Sequence, residues 1–175
     1  MRIALVGQPN CGKSALFNSV AGYKTIVSNF PGTTLDYVAS PVKLNGDSFT
    51  LVDLPGIYSV SSSEREEILA RRYLIKERPD LVINILDASV LSRSLELTLE
   101  LLELNFPLVI CLNMIDEAEK KGVEIDVAHL SQELGVPVIP TIAIRGQGVP
   151  ELFQSALETA KSGTAGTIHF LSLDV

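Results

Sequence analysis

A glycine-rich segment near the N-terminus constrains the fold more than any other feature of this chain. Residues 7–14 read Gly-Gln-Pro-Asn-Cys-Gly-Lys-Ser, which matches the pattern G-x-x-x-x-G-K-[ST]. An aliphatic run at residues 3–6 precedes the segment, and a stretch of helical period at residues 14–20 follows it. Strand, loop and helix in this order predict a loop whose backbone N–H groups hold phosphate at a helix N-terminus. The alternative interpretation is a glycine-rich turn that only caps a helix.

The residues of this loop have separate expected roles. Lys13 is expected to reach the β- and γ-phosphates of a nucleotide, and the Ser14 hydroxyl is expected to hold Mg²⁺. The residues predicted to contact phosphate are Gly7, Asn10, Cys11, Gly12, Lys13, Ser14 and Ala15.

Short apolar runs alternate with amphipathic stretches along the rest of the chain. The runs, typical of strands covered on both faces, lie at residues 3–6, 38–42, 49–52, 81–86, 108–112 and 136–139. Helical periods lie at residues 14–20, 64–76, 92–104, 126–134 and 149–161. This alternation predicts an α/β fold with a mostly parallel six-stranded sheet and helices on both faces. Asn45-Gly46 favours a hairpin between the second and third runs, so one strand should be antiparallel.

A second motif, D-x-x-G, ends the third run. Asp53 is expected to reach magnesium through a bound water, and the Gly56 amide is expected to bond the γ-phosphate. The following loop, up to residue 63, would then sense the nucleotide. An isolated D-x-x-G is an ordinary strand-to-turn signature. Its place on the strand predicted next to the glycine-rich loop favours the functional interpretation.

A third motif, Asn113-Met114-Ile115-Asp116, ends the fifth run, where an α/β sheet places its ligand crevice. A carboxylate here can accept hydrogen bonds from both N1–H and the exocyclic N2–H₂ of guanine. Adenine offers no such pair of donors. Asp116 is therefore predicted to select guanine, with Asn113 and Met114 beside it. Taken alone, the motif is also compatible with a polar turn at a strand end.

The composition excludes several functional classes. The chain has 175 residues, with 14 Lys+Arg against 21 Asp+Glu and a net charge of −7. This balance argues against a nucleic-acid partner or a basic membrane-surface binder. No apolar run reaches the roughly 18 residues of a membrane-spanning helix, so the chain is expected to be soluble. The two cysteines, Cys11 and Cys111, are expected to be reduced thiols.

Five segments, taken in chain order, resemble a translation-factor-related GTPase and, more narrowly, one family of membrane transporters. They read PNCGKSALFN (9–18), NFPGTTLD (29–36), DLPGIYS (53–59), PD (79–80) and NMID (113–116). The chain looks like the N-terminal G domain of the ferrous iron transport protein B family. The resemblance implies a P-loop GTPase fold over residues 1–161, with a tail of uncertain structure at 162–175. It also implies a place at the cytoplasmic face of the cell membrane, ahead of helical and membrane domains outside these residues.

The resemblance assigns further roles. Thr34 aligns with the switch threonine that contacts Mg²⁺ and γ-phosphate, with Thr33 as the competing candidate. Asn10 occupies a position that helps to coordinate K⁺ in potassium-activated relatives, although its side chain could instead close the turn. Backbone amides of the segment Ala143-Ile144-Arg145 are expected to contact guanine O6, with Ala143 in place of the usual serine. Met114 replaces the usual lysine that covers the base.

Ile57 is a departure with mechanistic consequences, because Ras-type enzymes carry a glutamine there that orients the attacking water. An aliphatic side chain cannot do this, so backbone groups of the loops at residues 26–37 and 54–63 are expected to place the water. The residues predicted to act in catalysis are Lys13, Asn10, Thr34 and Gly56. Glu66 and Glu67 are adjacent on a predicted helix and are not expected to form a catalytic pair.

These observations favour a GTPase that regulates or drives ferrous iron uptake, with Mg²⁺ and an activating K⁺ as cofactors and GTP and GDP as substrate and product. Its turnover is expected to be slow. Its partners would be the family's helical and membrane domains, with a possible oligomer through the switch loops and no nucleic acid. Two alternatives stay open: a ribosome-assembly or tRNA-modification-type GTPase, and a nucleotide-sensing interaction module with negligible turnover.

Overall fold

The computed structural model describes residues 1–22, 25–30 and 36–165. Its strands are β1 (Arg2–Gly7), β2 (Ile26–Asn29), β3 (Asp36–Leu44), β4 (Asp47–Asp53), β5 (Leu81–Asp87), β6 (Leu108–Asn113) and β7 (Val138–Pro140). Its α-helices are α1 (Lys13–Val20), α2 (Arg65–Glu77), α3 (Leu91–Glu103), α4 (Ile115–Lys120), α5 (Val127–Leu134) and α6 (Val149–Ser162). Two short 3₁₀ turns span Ala88–Val90 and Ala143–Arg145.

In the described residues the strands form one seven-stranded sheet in the order β2-β3-β4-β1-β5-β6-β7. Neighbouring strands pair in parallel along the series β4-β1-β5-β6-β7. The strand β3 is antiparallel to both of its neighbours, β2 and β4. The predicted α/β class and the single reversed strand are confirmed. The β3–β4 turn is the predicted hairpin, since Asn45 and Gly46 both have positive φ, at 51° and 86°.

The sheet has one strand more than the six predicted, because β2 went unrecognised. Its Ile26 and Val27 side chains are 59% and 63% exposed. An edge strand that contributes so little to the core has neither a continuous apolar run nor a clean alternation. The sequence therefore indicated only a loop there.

The two faces of the sheet carry separate cores. In β1, Ala4 and Val6 contribute to the core covered by α2 and α3, while Ile3 and Leu5 contribute to the core covered by α1 and α6. All residues of β6 and all but the last of β5 are buried. Helices on both faces therefore leave functional side chains only at the strand ends.

The helix α4 was not expected from the sequence, where residues 113–116 indicated only a strand-end motif. It begins directly after Met114, which takes a left-handed conformation with φ 59°. The helix α6 ends at Ser162, and Gly163 terminates it with φ 65°. Most of the predicted tail, residues 166–175, lies outside the described residues. Within the described part of the chain, no helix combines the length and the apolar character needed to cross a membrane.

Candidate nucleotide-binding site

The glycine-rich loop connects β1 to α1 as predicted. Two residues of the loop have left-handed backbones, Asn10 with φ 66° and Gly12 with φ 90°. The Gly12 carbonyl accepts the hydrogen bond from Leu16 N at 3.0 Å that starts α1. A Cβ at Gly12 would lie 2.1 Å from the Asn113 Nδ2 atom, so both the backbone conformation and the space require glycine.

The D-x-x-G motif meets this loop through an ion pair. The Lys13 ammonium donates to the Asp53 carboxylate, and the two side chains are 11% and 14% exposed. Burial raises the pKa of Asp53, and the charge and hydrogen bond of Lys13 oppose that rise. The two motifs therefore place one largely buried cation and one largely buried carboxylate at the same end of the sheet.

Gly56 lies directly against the glycine-rich loop. A Cβ there would lie 3.0 Å from Pro9 N and 3.1 Å from Pro9 Cα, so a side chain would push the two loops apart. The next amide, Ile57 N, donates to the Gly7 carbonyl at 3.0 Å. Two adjoining loops thus form one surface.

A cavity of about 420 Å³ opens at this surface. Its lining includes five of the seven residues predicted to contact phosphate, and the other two, Gly7 and Cys11, do not line it. The Cys11 thiol is buried, and burial raises its pKa to about 11. The residues that line the cavity are Gln8, Pro9, Asn10, Gly12, Lys13, Ser14, Ala15, Gly56 and Met114.

Asn113 connects the phosphate loop to the segment predicted to meet the base. Its side chain is buried, and its Nδ2 donates to the Cys11 carbonyl at 2.9 Å. Its Oδ1 accepts from the Thr141 hydroxyl at 3.0 Å and from the Ala143 amide at 2.9 Å. The sequence assigned Asn113 to the base alone, whereas the structure shows that it joins β6, the phosphate loop and the Ala143–Arg145 turn.

Asp116 lies in the first turn of α4 with its side chain 18% exposed. Its Oδ2 atom is 3.7 Å from Arg145 Nη2 and 4.0 Å from Lys120 Nζ. The predicted base selector and the Ala143–Arg145 turn therefore lie side by side. Met114 lies two positions before Asp116 and also lines the cavity at the glycine-rich loop, so the predicted base site adjoins that cavity.

In the structure, fewer backbone amides of the Ala143–Arg145 turn are available to guanine O6 than the sequence predicted. The Ala143 amide donates to Asn113, and the Arg145 amide donates to the Ile142 carbonyl at 2.9 Å. Two of the three amides predicted to meet guanine O6 are therefore engaged inside the protein. Ile144, 85% exposed, carries the third.

The predicted switch threonine, Thr34, and its competitor Thr33 lie outside the described residues. The described residues on either side of that segment pack together on α2. Phe30 and Tyr37 have ring centroids 5.0 Å apart, and they lie 6.0 and 5.2 Å from the ring of Tyr73. Both sides of the segment are thus fixed to the helix that follows D-x-x-G.

Ile57 and Glu67 explain how the loop after Gly56 is held. Ile57 is 1% exposed and packs in the core, so its side chain faces away from the cavity. Glu67 is 5% exposed, and its Oε1 accepts from Tyr58 N at 3.0 Å and Ser59 N at 3.2 Å. The sequence dismissed Glu67 as half of a catalytic pair and missed this supporting role. No spacing rule distinguishes Glu67 from Glu66, since only their burial differs.

Comparisons with known proteins agree with this geometry. The family model described as ferrous iron transport protein B matches residues 1–156. The Fe(2+) transport protein A/Fe(2+) transporter FeoB fusion protein of Porphyromonas gingivalis is 45% identical over 158 residues, which are 90% of this chain and 19% of that protein. The chain thus spans about a fifth of the length of this curated relative.

Two solved structures are also similar. One is an S. thermophilus NFeoB E67A mutant bound to GDP, with 43% identity and a TM-score of 0.88 over 97% of this chain and 66% of that chain. The other is the cytosolic domain of the T. maritima FeoB iron transporter in its GMPPNP form, with 39% identity and a TM-score of 0.90 over 96% of this chain and 67% of that chain. With the family model covering most of its length, this chain belongs to the ferrous iron transport protein B family.

Proposed function

We propose that this domain binds GTP, hydrolyses it with Mg²⁺ and K⁺, and thereby regulates or drives ferrous iron uptake by a longer membrane protein. One observation carries the proposal: the Asn113 side chain joins the phosphate loop at Cys11 to the base segment at Ala143. A single buried amide therefore fixes the spacing between a phosphate cavity and a base site. The relatives bound to GDP and GMPPNP support guanine nucleotide as the ligand.

The residues around the cavity fit magnesium. Mg²⁺ prefers oxygen ligands, and the Ser14 hydroxyl lines the cavity while the Asp53 carboxylate adjoins it through Lys13. Ser14, Thr34 and, through water, Asp53 would hold the ion, which when bound neutralises charge on the β- and γ-phosphates. Among the described residues no group of three His, Cys, Asp or Glu side chains could hold a metal ion. The proposed link to iron uptake therefore rests on membership of the family.

In this mechanism Lys13 neutralises charge on the phosphates, and the Gly56 amide bonds the γ-phosphate. Because Ile57 is buried, backbone groups of the neighbouring loops would orient the attacking water. At the other end of the site, Asp116 would accept both donors of guanine. The second N–H of Asn113 and the amide of Ile144 would complete the contacts to the base.

Thr34 is the proposed sensor of the γ-phosphate. Thr34→Ala is expected to spare GDP binding and slow GTP hydrolysis, because the hydroxyl would contact Mg²⁺ only in the triphosphate state. Nucleotide titration and phosphate release measure the two effects separately. Thr33→Ala is the matched variant and should resemble the unmodified protein. If Thr33→Ala slows hydrolysis and Thr34→Ala does not, Thr33 is the sensor instead.

Potassium dependence is expected because Lys13 is the one cationic side chain among the described residues that line the phosphate cavity. A K⁺ ion held by Asn10, the phosphates and loop carbonyls would take the place of an arginine finger. K⁺ should accelerate hydrolysis over Na⁺ at equal ionic strength by about 10-fold, below the 10³–10⁵ of an arginine finger.

Asn10→Ala should remove the difference between K⁺ and Na⁺ while leaving GDP binding nearly intact. Steady-state phosphate release in matched chloride salts is the measurement. Equal rates in both salts for the unmodified domain would leave Asn10 with its turn-closing role alone. Absence of hydrolysis in single-turnover conditions would instead favour a nucleotide-sensing module. Membership of the transporter family disfavours a ribosome-assembly or tRNA-modification role.

The partners proposed for the domain follow from its relatives. Because the chain spans 19% of the curated relative, we infer that a longer protein attaches it to helical and membrane domains at the cytoplasmic face. Contact between copies through the switch loops is a further proposal. Sedimentation with GDP and with GMPPNP would test it.

A further inference from the structure

The loop after Gly56 is held by a second carboxylate, which comes from a different helix. Glu100 of α3 accepts hydrogen bonds at Oε1 from the hydroxyls of Ser59 and Ser61, both at 2.7 Å. Its Oε2 accepts from the Val60 amide at 2.5 Å. One side chain therefore fixes three consecutive loop residues from 39 to 41 positions away in the sequence.

These contacts complete a continuous series along the loop. The amides of four consecutive residues, Ile57 to Val60, donate in turn to the Gly7 carbonyl, to Glu67 twice and to Glu100. With all four amides engaged, the position of this backbone depends on the acceptors. Glu100 is the only one of them that α3 supplies.

The helix α3 also contacts both loops of the phosphate site near its start. The Arg93 guanidinium lies 5.3 Å from the centre of the Tyr58 ring, within range of a cation–π interaction. The Arg93 carbonyl accepts from Gln8 Nε2 of the glycine-rich loop at 2.9 Å. Thus α3 contacts the glycine-rich loop through Arg93, and it contacts the loop after Gly56 through both Arg93 and Glu100.

The charge of Glu100 is suited to this task. Burial alone would raise its pKa, but the hydrogen bonds from Ser59, Ser61 and Val60 bring the pKa below its usual value. A carboxylate that accepts several hydrogen bonds is a stronger acceptor than a neutral group. The side chain is therefore an anion at neutral pH.

We propose that Glu100 is a positioning residue for GTP hydrolysis, which holds the backbone of residues 58–61 in register with the glycine-rich loop. This inference rests on the proposed function. A buried Ile57 leaves water placement to backbone groups, so the reaction depends on where that backbone lies. Small misplacements of reacting groups are costly, on the order of 10²-fold for about 1 Å.

The test compares Glu100→Ala with Glu96→Ala, which removes an exposed carboxylate one turn earlier on the same helix. Glu100→Ala is expected to lower kcat about 10-fold or more, while GDP affinity changes less than about twofold and Glu96→Ala has no effect. Glu100→Gln is expected to recover most of the rate. Its amide oxygen can accept from Val60, and the two serine hydroxyls can turn to accept from its NH₂ group.

Hydrogen exchange of the Val60 amide supplies a readout besides activity, and it should accelerate in Glu100→Ala alone. If that variant fails to fold, the double variant Ser59→Ala, Ser61→Ala removes two donors to Glu100 and should lower kcat in the same way. A kcat equal to that of Glu96→Ala, a higher kcat, or a parallel loss of GDP affinity would overturn the inference. If the proposed function itself is wrong, the unmodified domain will show no GTP turnover, and this result differs from a failure of the inference about Glu100.

Discussion

Asn113→Ala is expected to destabilise the domain by about 3 kcal/mol or more and to lower GDP affinity by at least about 100-fold. The substitution leaves two buried groups, the Cys11 carbonyl and the Ala143 amide, without their partner. It also removes one of the two partners of the buried Thr141 hydroxyl, which keeps its contact with Cys111 Sγ at 3.1 Å. Each buried group that loses its hydrogen bond costs roughly 1–3 kcal/mol. The affinity should fall with the stability, because the same side chain fixes the phosphate loop relative to the base segment.

Urea unfolding and GDP titration measure the two losses separately. Asn18→Ala is a suitable control, since Asn18 lies exposed on α1 and its removal should change unfolding by less than about 0.5 kcal/mol. Excess GDP should restore part of the lost stability by mass action if the variant still binds it. An Asn113→Ala variant with unchanged stability and affinity would contradict the connecting role of this side chain.

Asp116→Asn is expected to lower GTP affinity about 10- to 150-fold and to create a preference for xanthosine triphosphate. The substitution places an amide donor opposite the exocyclic amine of guanine, and a lost hydrogen bond to a charged group costs about 1.5–3 kcal/mol. Xanthine carries a carbonyl at that position, which can accept from the new amide. The variant should therefore bind the base that the unmodified domain rejects.

Competition among GTP, ATP and xanthosine triphosphate for the same site is the measurement. Glu117→Gln is the matched control, because Glu117 follows directly on α4 but pairs with Lys120 at 2.7 Å and is 47% exposed. This control should keep the discrimination between GTP and ATP. If Asp116→Asn also keeps it, Asp116 does not contact the base.

The sequence alone determined the α/β fold and the positions of the three nucleotide motifs. Each motif consists of residues that are consecutive or nearly so, and each follows an apolar run long enough to recognise as a strand. The carboxyl ends of neighbouring parallel strands share one edge, so Lys13, Asp53 and Asp116 were expected at one end of the sheet. The hairpin at Asn45-Gly46 was predictable for a similarly local reason, since few other residue pairs take positive φ twice.

The tertiary structure decided which side chains connect those motifs. Asn113 meets Cys11 across 102 positions, and Glu100 meets Val60 across 40, and neither contact leaves a local pattern in the sequence. The strand β2 also has no local pattern in the sequence, because it gains its strand conformation from pairing with β3 at a largely exposed edge. Glu67 and Ile57 took their roles from burial, which the packing of α2 on the sheet sets and which neighbouring residues do not encode. A sequence reveals functional groups that lie in consecutive residues, whereas hydrogen bonds between distant residues form only once the chain is folded.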